Sequence, residues 1–265
     1  MPYLGDDRFR HHIVFQRKSY MLCVYCGEKA DTREHAPSKV LLEHPYPNNL
    51  PVLPSCKRCN NSFSSDELYM ALLLELLKFH YYDVYYKLSD KTLSRFDKKE
   101  GQQAIKDSQQ YILNLLEIIN NSKILRVIHK LAICHAVYEM SEGYHGDDYI
   151  SNQQTVSFKL LPMMRPDEYD DWDCVEPLEG KMLPEIGSIG YDRIGVIELP
   201  LYDVSGELGK KIMFSFIDWH DVQEDRYRYI CFKDGNMITV KIVINEFLFG
   251  VINFYDELAS ILRYQ

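Results

Sequence analysis

The chain has 265 residues, 46% of them hydrophobic, with 13 Gly and 11 Pro. This composition is typical of a globular protein with a sizeable core and excludes an intrinsically disordered chain. The formal net charge of −9 is too acidic for a protein that binds nucleic acid by non-specific phosphate attraction alone. The sequence has no apolar run of roughly 18 residues that would span a membrane and no signal peptide at its polar start, so we expect a cytoplasmic protein that does not associate with membranes.

The charge is distributed unevenly along the chain. Residues 1–65 carry nine Lys/Arg against six Asp/Glu, a net +3, whereas residues 66–265 carry 21 against 33, a net −12. Within residues 1–20, basic and aromatic side chains are mixed, which suits either contact with a nucleic-acid strand or an ordinary solvated segment. Any nucleic-acid surface is therefore expected in the N-terminal segment, and the acidic remainder is expected to serve another purpose, such as binding a regulatory partner.

Two Cys-x-x-Cys pairs, Cys23/Cys26 and Cys56/Cys59, are separated by 29 residues. Thiolates are soft ligands that suit tetrahedral zinc, and each pair can supply two of the four sulfurs. Four thiolates leave no open coordination position, so this zinc would hold the local shape and would not activate water. In a reducing compartment, the other three cysteines are predicted to be free thiols.

The middle of the chain has three helical patterns. Ser64 and Glu67 have the spacing of a capping box and predict a helix start, and the helical apolar pattern that follows continues to about Tyr81. After a polar connection, residues 104–119 and 123–140 repeat their apolar residues with a helical period. Both apolar faces are wide enough to be buried on two sides, so His129 and His135 are predicted to be packed residues.

Beyond a polar boundary near residues 141–148, the apolar residues recur with a period near two, which predicts strands. A hairpin turn is predicted at Asp234-Gly235, a solvated loop at 167–179 and a short helix at 255–264. The predicted strands are 155–161, 194–199, 211–217, 226–232, 237–244 and 248–254. The predicted domains are 1–65, a zinc-braced module; 66–145, a helical region; and 146–265, a mostly antiparallel β region. The fold class expected is α+β.

Between and just after the cysteine pairs lie residues that a purely structural zinc site does not require. The order Cys23-x-x-Cys26, Glu34-His35-x-Pro37, Asn49-Leu50 and Cys56-x-x-Cys59-Asn60 resembles the HNH endonucleases, whose catalytic core is a β-hairpin followed by a helix around one metal ion. This resemblance covers about 45 residues, Leu22 to Asp66, and the whole chain is similar to stand-alone bacterial HNH proteins.

The resemblance implies a role for each motif residue. His35 would be the general base that takes a proton from the attacking water, a role that suits a neutral imidazole near pH 7. Glu34 and Asn60 would offer oxygen ligands to one hydrated Mg²⁺ or Mn²⁺ ion, which would stabilise charge on the scissile phosphate and on the leaving 3′ oxygen. Asn49 would fix the loop that orients His35, although the sequence leaves open whether Asn48 takes that place.

Three positions depart from the common family pattern. Asn60 stands where a histidine is frequent, Glu34 stands where Asp is also common, and Phe63 replaces a basic residue often found three places after the last motif position. The phosphate contact of that basic residue would then be missing or come from elsewhere in the module. The candidates are Arg33, Lys57 and Arg58.

The resemblance therefore implies a metal-dependent endonuclease that hydrolyses phosphodiester bonds, with DNA as the expected substrate, and leaves 5′-phosphate and 3′-hydroxyl ends. It also implies defence against phage or other mobile DNA as a setting. Because one small module reaches one strand, duplex cleavage would suggest a homodimer. Three alternatives stay open: a non-catalytic zinc module that binds nucleic acid or protein, an RNA nuclease, and an acidic C-terminal half that keeps the nuclease silent.

Overall fold

A computed structural model describes residues 22–82, 88, 90–140, 154–184, 186, 188–202, 205 and 208–255. The basic and aromatic segment at 1–20, the boundary at 141–148 and all but the first residue of the helix expected at 255–264 lie outside the described residues. Within them, the protein combines helices with antiparallel sheets. This confirms the α+β class at that level.

The N-terminal region is a two-stranded hairpin followed by a long helix. Strands β1 (Thr32–His35) and β2 (Val52–Ser55) pair antiparallel, and helix α1 spans Lys57–Tyr81. The predicted helix start at Ser64 is wrong, because Cys56 already caps the helix: its sulfur accepts a hydrogen bond from the Cys59 N–H. Helix α1 therefore runs without a break across the boundary predicted at residue 65.

Three further helices follow in the middle of the chain. The pattern at 104–119 does not form one helix, because Asn114 leaves the helical conformation and a 3-10 turn follows. Asn121 then starts the next helix: its Oδ1 accepts hydrogen bonds from the Lys123 and Ile124 N–H groups. The bounds are α2 (Asp90–Leu93), α3 (Lys99–Leu113), the 3-10 turn Leu115–Asn120, and α4 (Ser122–Met140).

The C-terminal region is built on a six-stranded antiparallel sheet. Its strands, in their order across the sheet, are β3 (Gln154–Leu160), β11 (Leu248–Tyr255), β10 (Met237–Ile244), β9 (Tyr227–Asp234) and β5 (Lys181–Met182). Strand β8 (His220–Gln223) also pairs with β9, and α4 packs across one face of the sheet. The predicted turn at Asp234-Gly235 joins β9 to β10, with Gly235 at φ +55°.

The opposite face of this sheet is covered by a second, smaller core. The prediction of a loop at 167–179 is wrong, because helix α5 spans Pro166–Asp173. Its Tyr169 and Trp172 pack onto that core. Pro166 suits the first turn of a helix, where its missing N–H is not needed. A short helix α6 (Ile189–Asp192) and a three-stranded sheet follow, with the order β4 (Glu176–Pro177), β7 (Leu208–Ile217) and β6 (Ile194–Tyr202).

None of the helices in the described ranges combines the length and the apolar character that a membrane span requires.

Candidate metal centre and adjacent polar site

The first cysteine pair lies in a tight turn before β1. The Cys23 N–H donates to the Glu28 carbonyl at 2.6 Å, and the Gly27 N–H donates to the Cys23 carbonyl at 2.9 Å. Gly27 adopts φ +70°, a conformation that favours glycine because it has no Cβ. This turn directs the sulfurs of Cys23 and Cys26 to the same side.

The second pair lies at the start of α1, and the two pairs meet. The four sulfurs of Cys23, Cys26, Cys56 and Cys59 all lie within 4.8 Å of one another. Cys26 Sγ and Cys56 Sγ are 3.8 Å apart, which matches the ~3.8 Å edge of a tetrahedron with Zn–S bonds of about 2.3 Å. All seven cysteines are free of disulfides. The predicted convergence of the four sulfurs is confirmed, and they can hold a metal ion such as zinc.

The local electrostatics act in opposite directions on Cys56 and on the buried thiols of Cys23 and Cys59. The Cys59 backbone N–H at the helix start lowers the pKa of Cys56 to about 7, as expected for a thiolate beside the positive end of a helix. Burial raises the pKa of Cys23 and of Cys59. The exposed Arg58 guanidinium hydrogen-bonds Cys26, and the pKa of Arg58 is raised. The position of Cys56 at the helix start therefore favours its thiolate form, which is the form that binds a metal.

Glu34 lies in a buried ionic cluster, not in an open site. Its Oε1 accepts a hydrogen bond from Lys130 Nζ on α4 at 2.9 Å. The same ammonium pairs with Glu67 and donates to Ser38 Oγ at 2.6 Å. All four side chains are buried. Glu34 was expected to be a catalytic metal ligand, and this ion pair commits one of its two oxygens to Lys130.

The second oxygen of Glu34 is in a different situation. Oε2 is buried and has no hydrogen-bond partner among the residues that the structure describes. Burial raises the pKa of Glu34, although Lys130 opposes the shift. A buried carboxylate oxygen without a partner is costly, and a cation would satisfy it. Glu34 can therefore offer one oxygen to a metal ion, not two.

Asn60 is held against β1 by the first turn of α1. Its Nδ2 donates to the Arg33 carbonyl at 3.1 Å and to Thr32 Oγ1 at 3.4 Å. This orientation turns Oδ1 away from those two acceptors. Oδ1 is the atom of Asn60 that could bind a cation. Because side chains alternate along a strand, Glu34 points inward from β1, whereas half-buried His35 lies on the opposite face. The structure thus brings Asn60 to β1 without putting Glu34 and His35 on one face.

The two candidate asparagines lie in the turn just before β2. Asn48 is exposed and Asn49 is half-buried. The Ala36 N–H, directly after His35, donates to the Pro51 carbonyl at 2.9 Å, so this turn is tied to the end of β1. Burial favours Asn49 over Asn48 for a role that requires packing against the loop.

Arg126, which the sequence motif does not predict as part of the site, lies beside Phe63. Arg126 on α4 stacks its guanidinium over the Phe63 ring at 4.5 Å and donates to Asp66 and to the Ser62 carbonyl at 2.5 and 2.9 Å. A positive charge is thus present where the expected basic residue is absent, although Asp66 partly neutralises it. No local pattern signals this contact, because the side chains come from positions 63 residues apart.

His135 is buried in the core, as predicted. Its Nε2 lies 2.7 Å from the Tyr227 hydroxyl, and its ring stacks on Tyr229 with centroids 3.7 Å apart. Burial, together with His220, lowers the pKa of His135 well below its usual 6.5.

Comparisons with known proteins do not add to this geometry. No family model, no curated protein and no solved structure matches the chain. The function therefore has to be inferred from the site itself.

Proposed function

We propose that the N-terminal region, residues 22–82, hydrolyses phosphodiester bonds in nucleic acid, with DNA as the expected substrate. One observation carries the proposal. The four-sulfur cluster fixes a strand–strand–helix unit in which Asn60, in the first turn of the helix, is hydrogen-bonded to the strand that ends at His35. Asn60 Oδ1 is thereby left beside β1, the strand that carries Glu34 and His35 on its two faces.

In this proposal, the four cysteines hold a structural zinc ion, and His35 is the general base that accepts a proton from the attacking water. Asn60 Oδ1 and Glu34 Oε2 would hold Mg²⁺ or Mn²⁺, because an oxygen-only donor set suits hard cations. That ion supplies charge stabilisation at the scissile phosphate and the leaving 3′ oxygen. Asn49 would hold the loop beside His35.

Lys130 has a supporting part in the same proposal. By binding Oε1 of Glu34 it fixes the carboxylate, so that only Oε2 is offered to a cation. A singly offered oxygen matches Mg²⁺, which usually keeps several waters and takes one or two carboxylates. The exposed Arg33, Lys57 and Arg58 would contact the phosphate backbone.

A plasmid-nicking assay with Mg²⁺ or Mn²⁺ tests the proposal. His35→Ala should reduce nicking at least about 100-fold, since a general base typically contributes that much. His80→Ala, at the exposed far end of α1, is the matched control and should keep wild-type activity. Equal residual activity in wild type and His35→Ala would overturn the assignment. Side-by-side cleavage of DNA and RNA of one sequence distinguishes a DNA nuclease from an RNA nuclease.

The commitment of Glu34 to Lys130 favours a second candidate, a zinc module that binds nucleic acid without cutting it. In that case the purified protein would shift a DNA or RNA probe in an electrophoretic assay while no divalent ion supported nicking. Arg58→Ala would then weaken binding, and His35→Ala would leave it unchanged.

A further inference from the structure

The loop that joins β1 to β2, residues 36–51 and called here the β1–β2 loop, is tied to the rest of the protein near both ends. Near its start, Ser38 Oγ accepts a hydrogen bond from the buried Lys130 ammonium at 2.6 Å. Where it closes, the Ala36 N–H donates to the Pro51 carbonyl at 2.9 Å. Because this loop directly follows His35, its conformation shapes the surroundings of the proposed site.

The middle of the β1–β2 loop is held by Gln223, the last residue of β8. The side-chain oxygen of Gln223 accepts a hydrogen bond from the Glu43 N–H at 2.8 Å. Its Nε2 donates to the Glu43 carbonyl at 2.9 Å and to the Pro45 carbonyl at 3.4 Å. One amide thus binds both backbone groups of Glu43, as a neighbouring strand would. These contacts fix the chain on both sides of His44.

A second set of contacts ties the same stretch to α1. Arg226, in the turn after β8, lies 3.8 Å from the Glu43 carboxylate and donates to Oε1 of the buried Glu75 at 2.7 Å. Asn245 also donates to this oxygen, at 3.2 Å. The middle of the loop is therefore positioned by the C-terminal sheet and by α1 together. Such preorganisation favours binding, because a loop that is already ordered loses little entropy when a ligand binds.

The fixed stretch presents two aromatic rings and a positive charge. His44 is exposed and Tyr46 is half-buried, and their ring centroids lie 4.0 Å apart with the planes tilted by 43°. The exposed Lys39 places its ammonium 5.6 Å from the centroid of the Tyr46 ring. Exposed loops are usually mobile, whereas this loop holds an exposed ring in a fixed position. That combination is what a prepared binding surface requires.

The chemistry of this stretch selects its ligand. A flat ring beside an ammonium suits a nucleobase, which stacks on the ring, joined to a phosphate, which the ammonium attracts. Three further exposed cations lie in the same module, at Arg33, Lys57 and Arg58. In a duplex the faces of each base are covered by the neighbouring bases, so only an unpaired base can stack on His44. The ligand expected is therefore single-stranded nucleic acid.

We propose that the β1–β2 loop is a preformed platform on which His44, supported by Tyr46, stacks an unpaired base, with Lys39 at the adjoining phosphate. This deepens the proposed function, and it rests on that function in naming the bound strand as the one presented for cleavage. It also gives the C-terminal region a role, because Gln223 keeps the platform in place.

Fluorescence anisotropy of the full chain with a labelled single-stranded DNA oligonucleotide tests the platform, in a buffer with no added Mg²⁺ or Mn²⁺. His44→Ala should raise the dissociation constant for the single strand about 10-fold, as expected for the loss of one stacked base. The affinity for the duplex of the same sequence should not change. His44→Phe keeps a flat ring and should bind as the wild type does. An RNA strand of that sequence should show the same dependence on His44, because the ring contacts the base and not the sugar.

His80→Ala is the matched control for His44→Ala. His80 is also exposed and also contacts a tyrosine, Tyr81, but it lies at the far end of α1. This variant should bind every probe as the wild type does. Wild-type affinity for the single strand in His44→Ala, or an equal loss of affinity in His80→Ala, would overturn the proposal.

Gln223→Ala tests the support of the platform while the rings stay intact. Hydrogen exchange of residues 42–47 should become faster while β9 to β11 keep their protection. The dissociation constant for the single strand should rise at least about 3-fold, because binding must now order the loop. Glu224→Ala, at the exposed next position of the same turn, should change neither. Unchanged exchange of residues 42–47 in Gln223→Ala would overturn the claim that the sheet preforms the platform.

The platform and the proposed cleavage fail in different ways. Single-strand binding that depends on His44, in a protein that nicks no DNA with either ion, would support the platform and contradict the nuclease. Nicking by the wild type, together with single-strand binding that His44→Ala leaves unchanged, would support the nuclease and overturn the platform.

Discussion

The two halves of α4 contact regions that are stabilised in different ways. In the first half, Lys130 enters a buried ionic cluster with Glu34 of β1 and Glu67 of α1. In the second half, Glu139 accepts hydrogen bonds from the Tyr229 hydroxyl at 2.5 Å and from the Gly190 N–H at 2.7 Å. One region relies on paired charges and a metal-binding cluster, and the other on an apolar core with hydrogen-bonded polar groups.

The difference follows from how each region is built onto the core that they share. The cysteine region is a two-stranded hairpin with loops whose apolar side chains pack into the same core as α4, and metal ligation and ion pairs add to that packing. The six-stranded sheet has strands such as β10, whose Val240 and Ile242 are fully buried, and it packs on both faces. Perturbations should therefore act on one region at a time.

The largest effect is expected from Cys56→Ser, which removes one of four thiolates. Metal content should fall from one ion per chain to almost none, and residues 22–60 should lose protection from hydrogen exchange. Strands β9 to β11 should keep theirs. The reason is that metal binding contributes about 10–16 kcal/mol to the folding of small zinc modules. Metal analysis and exchange mass spectrometry measure both effects.

Cys174→Ser is the control, because Cys174 is exposed and outside the cluster. It should change neither metal content nor protection. Equal loss of protection in both regions of Cys56→Ser would show that the two regions do not differ in the way inferred.

Next in size is Lys130→Met. It leaves the carboxylates of Glu34 and Glu67 buried without their cation, so the free energy of unfolding should fall by about 3–5 kcal/mol. Urea denaturation measures this. Adding Glu67→Gln to the variant should restore part of the loss, because it removes one of the two buried charges.

Lys106→Met on the exposed side of α3 serves as the comparison and should change stability by less than about 0.5 kcal/mol. A similar small change for Lys130→Met would mean that the ionic cluster does not stabilise the N-terminal region.

The smallest effect concerns His135 in the second region. Burial lowers its pKa well below 6.5 in the folded chain, so the unfolded chain binds a proton that the folded chain does not. Stability is then fully present above pH 6.5 and is lost as the pH falls, by about 1 kcal/mol between pH 6.5 and 5.5. His135→Phe should remove this contribution to the slope in denaturation curves.

The exposed His80→Gln is the control for His135→Phe and should leave the slope as in the wild type. An unchanged slope in His135→Phe would contradict the assignment of the pH dependence to this buried imidazole.

Local patterns predicted the elements whose residues are close in sequence. The period of two at Met237–Ile244 coincides with β10, and the helical pattern at 123–140 corresponds to α4 within a residue. The start of α1 was misplaced because Cys56 caps it with a sulfur, which the usual Ser, Thr, Asp and Asn preferences do not include. The sequence predicts a loop at 167–179 because its acidic residues indicate exposure to solvent, whereas the aromatic side chains of α5 pack onto the second core.

The sequence by itself determined that the four cysteines can bind a metal ion, because the type of ligand and the spacing of the ligands are local properties. It also determined the α+β class, since periodicity is set by neighbouring side chains. Only the tertiary structure decided that Glu34 is bound by Lys130, which lies 96 residues away, and that Arg126 stacks on Phe63. Such pairings depend on where distant elements meet, and no local pattern of residues records that.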